Sequence, residues 1–290
     1  MPGLEGQALS PEMKAIKAFF LVRKKLGLAN FGRKAKAPAK PTKSILKNTN
    51  FTSSSQFGFE LNEVTPTDAF DKVIVYLHGG GYVNPIAKQH WQIIEELAVA
   101  GSAKVLVPRY GLAPHHDVND ALGFIRKVFD YAQTFEREIV FVGDSAGGGL
   151  AVSAVQRLQV GSSVAKLILI SPWLNSDFSD PGLDEVMKHD PWLMPESLRR
   201  IAAVWSGEDN HQDARVSPLK GELSGLPKTL MFMGTWDVLL FDARWFYDKA
   251  LKAGVDIAYE EHVSALHVYP ILPTPEGAKA RKKILEFLAS

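Results

Sequence analysis

The sequence predicts an α/β fold with a mostly parallel central sheet, helices on both of its faces and a small helical cap. From residue 70 onward, short apolar runs alternate with helical patterns. The runs are continuous rather than alternating, which is typical of strands buried on both faces of a parallel sheet. Repeated strand, helix, strand order indicates right-handed crossovers. Residues 175–225 separate two of these strands by more chain than one crossover needs, which predicts a cap or lid.

The elements follow from the apolar pattern and its period. Strands are predicted where β-branched and other apolar residues run together, at 73–77, 104–107, 139–142, 167–170 and 230–233, and a further strand is predicted at 255–262. Helices are predicted where the apolar residues recur every three to four positions, near 10–27, 88–100, 119–133, 146–159, 198–205, 241–253 and 276–288. No internal repeat is present.

Composition and charge exclude several classes of protein. The 290 residues are 46% hydrophobic and 22% charged, as in an ordinary globular protein of one large or two small domains. The absence of cysteine excludes a disulfide framework, a thiolate zinc site and a cysteine nucleophile. The net charge of +1 gives no reason to expect nucleic acid. No apolar run is long enough to span a membrane or to be a secretory signal, so we expect a cytoplasmic protein without stable membrane insertion.

Residues 1–47 carry a local excess of positive charge. They hold eleven Lys and Arg but only Glu5 and Glu12, a formal charge of +9, and no acid occurs between Glu12 and Glu60. The first interpretation is a solvated or cap-forming segment that docks on the acidic remainder of the chain. The alternative is contact with an anionic lipid or an anionic substrate.

The pentapeptide Gly143-Asp144-Ser145-Ala146-Gly147 directly follows a predicted strand and opens a helix of small residues. This is the G-x-S-x-G pattern of a serine nucleophile held on a sharp turn between strand and helix. Glycines on both sides let the two elements approach without a Cβ clash. The backbone N–H of Ala146 then lies at a helix N-terminus, where it can stabilise an oxyanion. We therefore predict Ser145 as the nucleophile; a plain tight turn is the alternative.

A second glycine-rich motif, His78-Gly79-Gly80-Gly81-Tyr82, follows the predicted strand 73–77. Consecutive glycines are entropically costly, which makes sense if the backbone must approach a ligand closely. The pattern is that of an oxyanion loop in esterases, so Gly80 and Gly81 join Ala146 as predicted donors. His78 is interpreted as a loop anchor rather than a base. A flexible or phosphate-binding loop is the alternative, but no P-loop lysine follows.

A serine nucleophile needs a general base and an orienting carboxylate, in the chain order Ser, Asp, His for this topology. Asp237 and His267 each follow a predicted strand, which places both at the carboxyl edge of the sheet with Ser145. Asp242 competes with Asp237, although near a helix start it could serve as a cap. His262 competes with His267, although it lies at a strand end.

Two other histidine pairs could suggest a metal site. These are His115 with His116, and His189 with Asp190. Neither comes with a second ligand cluster or with i, i+4 spacing, so we interpret them as ordinary surface histidines. The sequence thus predicts no metal, and the serine chemistry needs no cofactor.

The two glycine-rich motifs carry a resemblance to the hormone-sensitive-lipase-like family of α/β-hydrolase carboxylesterases. Three further segments are similar to family motifs: Arg109 to Pro114, Ser171 to Trp173, and Asp237 to Leu239. The resemblance covers roughly residues 65–290. It implies an α/β-hydrolase fold in which residues 1–50 and 175–225 form the cap, and 51–174 with 226–290 form the catalytic domain.

The resemblance also implies a serine carboxylesterase that hydrolyses short-to-medium acyl esters through an acyl-enzyme. Tyr82, Trp173 and Trp205 are candidate walls of the substrate pocket, since cap and loop aromatics give apolar contact at low entropic cost. Trp205 could instead pack within its own helix. An amidase or peptidase with the same triad, and a hydrolase-like binding protein without catalysis, remain alternatives. The sequence leaves a homo-oligomer open.

Overall fold

The elements come from a computed structural model that describes residues 8–25, 37–158, 163–207, 210 and 212–290. The strands within these ranges are β1 Thr49–Ser54, β2 Glu60–Pro66, β3 Lys72–Leu77, β4 Ala103–Arg109, β5 Glu138–Asp144, β6 Val164–Ile170, β7 Lys228–Trp236 and β8 Ile257–Leu266. The α-helices are α1 Pro11–Lys25, α2 Lys43–Asn48, α3 Lys88–Val99, α4 Val118–Gln133, α5 Ala146–Arg157, α6 Leu183–His189, α7 Pro195–Trp205, α8 Leu240–Lys252 and α9 Pro275–Ala289.

All eight strands belong to one mixed sheet, in the order β1-β2-β4-β3-β5-β6-β7-β8. Pairing is antiparallel from β1 to β2 and from β2 to β4, and parallel across the rest of the sheet. This confirms the predicted α/β class with a mostly parallel sheet. Each of the six predicted strands is present in the parallel part or at its border.

Strands β1 and β2 were not predicted from the sequence. Their residues are mostly polar, and β1 is largely exposed at the sheet edge. An antiparallel edge strand with one solvated face lacks the continuous apolar run that marks a buried strand. The sheet therefore begins at Thr49, just inside the segment 1–50 that was expected to belong to the cap.

Side chains of the strands alternate between two separate cores, which explains why helices cover both faces. In β3, Val73, Val75 and Leu77 join the core that includes α4, α5 and α8. Ile74 and Tyr76 point to the other face and join the core of α3 and α9. Burial on both faces is the reason that this strand reads as a continuous apolar run.

The carboxyl edge of the parallel strands is where the predicted site residues lie. Ser145 directly follows β5 and His267 directly follows β8, while Asp237 directly follows β7. The loop with three glycines leaves the neighbouring strand β3. Parallel strands end at one edge, so residues far apart in the chain meet there.

The first helix packs against the long segment between β6 and β7 above this edge. Phe20 of α1 stacks on Trp192 with ring centroids 4.2 Å apart and planes 14° apart. The Lys24 ammonium donates a hydrogen bond of 2.9 Å to the backbone oxygen of Asp190. None of the helices in the described ranges is both long and apolar enough to cross a membrane.

Candidate active site

Ser145 sits on a strained turn between β5 and α5. Its φ of 53° and ψ of −122° lie outside the regions that L-residues ordinarily occupy. Only small neighbours permit this turn: a Cβ at Gly147 would overlap the backbone oxygen of Leu77, and a Cβ at Gly143 would overlap the backbone of Gly147. The turn is held by the Ser145 N–H, which donates 2.9 Å to the oxygen of Ile170 at the end of β6.

The hydroxyl of Ser145, the imidazole of His267 and the carboxylate of Asp237 form one hydrogen-bonded chain. Ser145 Oγ lies 2.8 Å from His267 Nε2, and His267 Nδ1 lies 2.7 Å from Asp237 Oδ2. A carboxylate only accepts, so Nδ1 carries the proton and Nε2 is left to accept from the hydroxyl. This is the arrangement that a serine nucleophile with a general base requires.

Burial and neighbouring charges act in opposite directions on the pKa of His267. Asp237 and His267 are both almost completely shielded from solvent. Burial lowers the pKa of His267, but the neighbouring Asp237 carboxylate outweighs it, aided by the more distant charges of Asp190 and Asp144. The pKa of His267 is therefore raised above its ordinary value of 6.5. Asp237 Oδ1 also accepts 3.0 Å from the N–H of Leu239, which holds the carboxylate in place.

The competing residues lie in other surroundings. Asp242 is in the first turn of α8 and accepts a hydrogen bond of 3.0 Å from the side-chain amide of Asn175. The imidazole Nδ1 of His262 donates 3.0 Å to the backbone oxygen of Val263, and the ring packs near Tyr269. Geometry therefore favours Asp237 and His267 over both alternatives.

The glycine loop after β3 needs backbone conformations that favour glycine. Gly80 has a φ of 128° and Gly81 a φ of 60°. Within the described ranges, no residue accepts a hydrogen bond from the backbone N–H of Gly80, Gly81 or Ala146. Gly80 and Gly81 line the same cavity as Ser145. Donors without a protein partner beside a nucleophile suit an oxyanion that forms there.

Asp144 ties this loop to the nucleophile turn, a role that sequence reasoning missed. Its Oδ1 accepts from Gly79 N–H at 3.0 Å and from Tyr76 Oη at 2.8 Å, while Oδ2 lies 3.2 Å from His90 Nε2. His90 Nδ1 accepts from the N–H of Ala87, so Nε2 is the donor to Asp144. Burial raises the pKa of Asp144, but His90, Tyr76 and the Gly79 N–H outweigh it and lower the pKa below its ordinary value.

Replacing Asp144 by alanine should release the loop and lower kcat by about 10- to 100-fold, because small displacements of catalytic groups are costly. Asp144→Asn keeps an oxygen for Tyr76 and Gly79 and should recover much of the loss. Steady-state kinetics on a soluble aryl ester, with thermal unfolding beside them, measure both effects. Equal kcat values for the alanine variant and the wild type would contradict a positioning role.

His78 anchors the loop from below, as the sequence suggested. Its Nδ1 donates 2.7 Å to the oxygen of Gly79, and its ring stacks on Tyr110 at 4.7 Å. Tyr110 in turn donates 2.6 Å to the backbone oxygen of His78. Burial lowers the pKa of His78 to about 3, so this imidazole stays neutral. It has no contact with the Ser145 hydroxyl among the described residues.

The aromatic residues that line the cavity are not the three that the sequence predicts as pocket walls. A cavity of about 630 Å³ opens above Ser145 and His267, and Phe19, Phe20 and Trp192 contribute its aromatic lining. The aromatic residues predicted for this role are Tyr82, Trp173 and Trp205.

These three predicted residues form a buried stack instead. Tyr82 lies parallel to Trp205 at 4.3 Å and near Trp173 at 5.4 Å. Each is at most 2% exposed, and none lines the cavity. The backbone oxygen of Tyr82 accepts from the N–H of Ala113, so the stack supports the glycine loop from inside. Trp205 therefore packs in the core, as the alternative interpretation of this residue proposed.

Asp190 is a second buried carboxylate beside the site. Its Oδ1 accepts from the N–H groups of Trp192 and Leu193 at 2.7 and 2.9 Å, and its Oδ2 from the N–H of Val238 at 3.0 Å. Burial and the negative charge of Asp237 raise the pKa of Asp190 to about 6. Asp190, which was considered with His189 as a possible metal pair, is only 1% exposed. The hydrogen bond from the Val238 N–H connects Asp190, in the predicted cap segment, to the loop that holds Asp237.

Trp192, close to Asp190 in the chain, contacts His267. Its ring meets the His267 imidazole edge-on, with centroids 5.5 Å apart and planes at 82°. The apolar ring shields one side of the imidazole from water.

The described part of the chain has no group of three or more His, Cys, Asp or Glu side chains placed to bind a metal ion.

Comparison with known proteins agrees with this geometry. The sequence model of a family described as alpha/beta hydrolase fold matches residues 74–271. An acetyl-hydrolase of Streptomyces hygroscopicus is 32% identical over 229 residues, covering 75% of each chain. Esterase LipU of Mycobacterium tuberculosis is 30% identical over 237 residues, covering 78% of this chain and 80% of its own.

The solved structures extend the similarity to almost the whole chain. A crystal structure of an esterase from the bacterial hormone-sensitive lipase family has a TM-score of 0.79 at 29% identity. It covers 97% of this chain, and this chain covers 98% of it. The family match spans more than half of the chain, and its range of 74–271 contains the motif positions described above. The chain therefore belongs to the alpha/beta hydrolase fold family and is an esterase of the hormone-sensitive-lipase-like group within it.

Proposed function

We propose that the protein is a serine carboxylesterase in which Ser145, His267 and Asp237 form the catalytic triad. The observation that carries the proposal is the continuous hydrogen-bonded chain from the Ser145 hydroxyl to the buried Asp237 carboxylate. His267 Nε2 takes the hydroxyl proton as Ser145 Oγ attacks the ester carbonyl. His267 then donates that proton to the leaving alcohol, which leaves an acyl-enzyme. A water, deprotonated by the same imidazole, attacks the acyl carbonyl, and the imidazolium returns the proton to Ser145 Oγ as the acid leaves.

The tetrahedral intermediate needs donors for its oxyanion. The backbone N–H groups of Gly80, Gly81 and Ala146 are proposed for this role, since they surround Ser145 and have no other acceptor in the described part of the chain. Each such donor contributes about 3 kcal/mol to transition-state stabilisation in other serine hydrolases. No cofactor takes part in these steps.

The preferred substrates are proposed to be short-to-medium acyl esters under a cap formed by residues 1–50 and 175–225. Phe20 and Trp192, one from each segment, close the cavity above His267 and limit its length. The name of the Streptomyces relative, an acetyl-hydrolase, agrees with a short acyl group. The rest of the chain, 51–174 and 226–290, holds the triad and is the catalytic domain of the proposal.

Activity should fall as the pH decreases through the pKa of His267, which lies above 6.5. The base accepts a proton only when neutral, and below this pKa the imidazole is protonated. Replacing Asp190 by asparagine removes a negative charge that raises this pKa. The acidic limb of kcat/KM should therefore move to lower pH in Asp190→Asn. A flat profile in the wild type would contradict His267 as the base.

Matched aryl esters and anilides of increasing acyl length test the proposed function. We expect hydrolysis of the esters, highest for short chains, and little hydrolysis of the anilides. Comparable rates on anilides would favour an amidase, and no turnover of any substrate would favour a binding protein.

The same ester panel tests the cavity wall. Phe20→Ala removes the ring that stacks on Trp192, so the ratio of kcat/KM for eight-carbon over four-carbon acyl esters should rise by about tenfold. Phe287→Ala, a half-buried phenylalanine outside the cavity, is the matched control. If both variants change the ratio equally, Phe20 does not set the acyl length.

A further inference from the structure

Helix α1 is apolar on two opposite faces, and the described structure buries only one of them. Met13, Ile16 and Phe20 point inward, and Met13 is fully buried. On the outer side, Ala15, Ala18, Phe19 and Val22 follow the spacing i, i+3, i+4, i+7, which places them in one stripe along the helix.

The large members of this outer stripe are exposed to a degree that is unusual for such residues. Phe19 is 57% and Val22 is 56% exposed, and the adjacent Leu21 is 36% exposed. A single exposed apolar residue needs no explanation, but a contiguous stripe on one helix marks a binding surface.

Positive charge borders the stripe and identifies the kind of surface that would cover it. At 100° per residue, Lys14 lies along one edge of the stripe and Arg23 along the other. The helix holds five basic residues and a single acid, so its formal charge is +4. The acid, Glu12, falls on the same edge as Arg23, whereas Lys17 lies over the Trp236 ring and Lys24 donates to Asp190 on the inner side. An apolar stripe between cationic edges matches the boundary between acyl chains and anionic headgroups in a bilayer.

The stripe also lies next to the entrance of the cavity. Phe19 and Arg23 both line the cavity that holds Ser145 and His267. A surface that covered Phe19 and Val22 would thus face the cavity entrance. Since none of the described helices can cross a bilayer, the contact would be peripheral.

We propose that the outer face of α1, formed by Ala15, Ala18, Phe19 and Val22 with Lys14 and Arg23 at its edges, binds the surface of an anionic lipid bilayer. The apolar side chains enter the headgroup region and the cations pair with lipid phosphates. Both contributions are needed because the stripe is short. Binding should therefore depend on anionic lipid and weaken with salt.

Co-sedimentation of the full chain with vesicles tests this proposal without any need for turnover. The vesicles are phosphatidylcholine alone, or phosphatidylcholine with about one third phosphatidylglycerol. We expect at least about tenfold tighter binding to the anionic vesicles at low ionic strength, lost at about 0.5 M salt. Absent binding, or equal binding to both compositions, would overturn the proposal.

A pair of double variants assigns the binding to α1. Phe19→Ser with Val22→Ser should weaken binding to anionic vesicles by about tenfold. Trp245→Ser with Leu251→Ser on α8 is the matched control, since these residues are 56% and 47% exposed and lie on another helix. Thermal unfolding verifies that both variants remain folded. Equal losses in the two variants would overturn the assignment to α1.

A second copy of the chain is the competing occupant of the same face. Sedimentation velocity over a range of protein concentrations distinguishes the two, because self-association needs no lipid. A dimer that dissociates in Phe19→Ser with Val22→Ser would assign the stripe to a protein interface and overturn the lipid proposal. A monomer at all concentrations would support it.

Discussion

Replacing Ser145 by alanine is expected to lower kcat on an aryl ester by about 10⁴- to 10⁶-fold, the range for loss of a triad nucleophile. The hydroxyl is the one group that would bond to the substrate carbonyl, and it is held 2.8 Å from the His267 imidazole. No neighbouring nucleophile can replace it on this turn. Residual hydrolysis would come from the oxyanion donors and from substrate binding.

Two comparisons make this result specific. His267→Ala alone, and the double variant with Ser145→Ala, should lose nearly as much as Ser145→Ala, because triad members act as a unit. Ser153→Ala is the matched control. Ser153 is a buried serine of α5, the helix that follows Ser145, and its hydroxyl accepts from Arg157, so this variant should keep kcat near the wild-type value. A phosphonate probe should label the wild type at Ser145. Undiminished turnover in Ser145→Ala would remove the assignment of the nucleophile.

The second large effect is expected for Asp237→Asn, with a decrease in kcat of about 10⁴-fold. The carboxylate accepts a hydrogen bond from Nδ1–H of His267, with Nδ1 2.7 Å from Oδ2, which keeps Nε2 free to accept from Ser145. An amide at this position can instead donate to Nδ1, so that the proton moves to Nε2 and the base is lost. The negative charge that stabilises the imidazolium is lost as well.

Asp242→Asn is the matched control for this substitution. Asp242 is also a buried carboxylate in the same part of the chain, but its partner is Asn175 rather than a histidine. Its burial raises the pKa to about 6, so an uncharged amide fits its surroundings. We expect kcat close to the wild-type value for Asp242→Asn. A comparable loss in both variants would indicate structural damage rather than loss of the orienting carboxylate.

Local signals explain why the residues of the proposed triad were predictable. A sharp turn from a strand into a helix requires small residues, here Gly143 and Gly147. The sequence pattern around Ser145 therefore predicts the local structure as well as the nucleophile. Asp237 and His267 lack such a pattern. Asp237 follows β7, which its continuous apolar run reveals, and His267 follows β8, a more polar strand that was predicted at 255–262. Because parallel strands end at the same edge of the sheet, residues that are far apart in the sequence lie close together there.

Contacts between distant segments explain what was missed. Asp144 was read only as part of the serine motif, because its partners Gly79 and His90 belong to other elements. Asp190 lies in a segment without periodic signal, and its acceptor role toward Val238 exists only after folding. The polar strands β1, at the sheet edge, and β2, next to it, have no apolar run, and they join the sheet through antiparallel pairing of β1 with β2 and of β2 with β4.

The sequence by itself determined the α/β class, the nucleophile turn and the glycine loop, because backbone sterics and strand burial constrain residue types over a few neighbouring positions. Only the tertiary structure decided which aromatic side chains line the cavity. Phe20 and Trp192 meet across α1 and the segment before β7, whereas Tyr82, Trp173 and Trp205 stack in the interior. By residue type alone, each of these five aromatic residues could either line the cavity or pack in the core. The packing of separate segments, a long-range property, assigns each ring to the cavity or to the core.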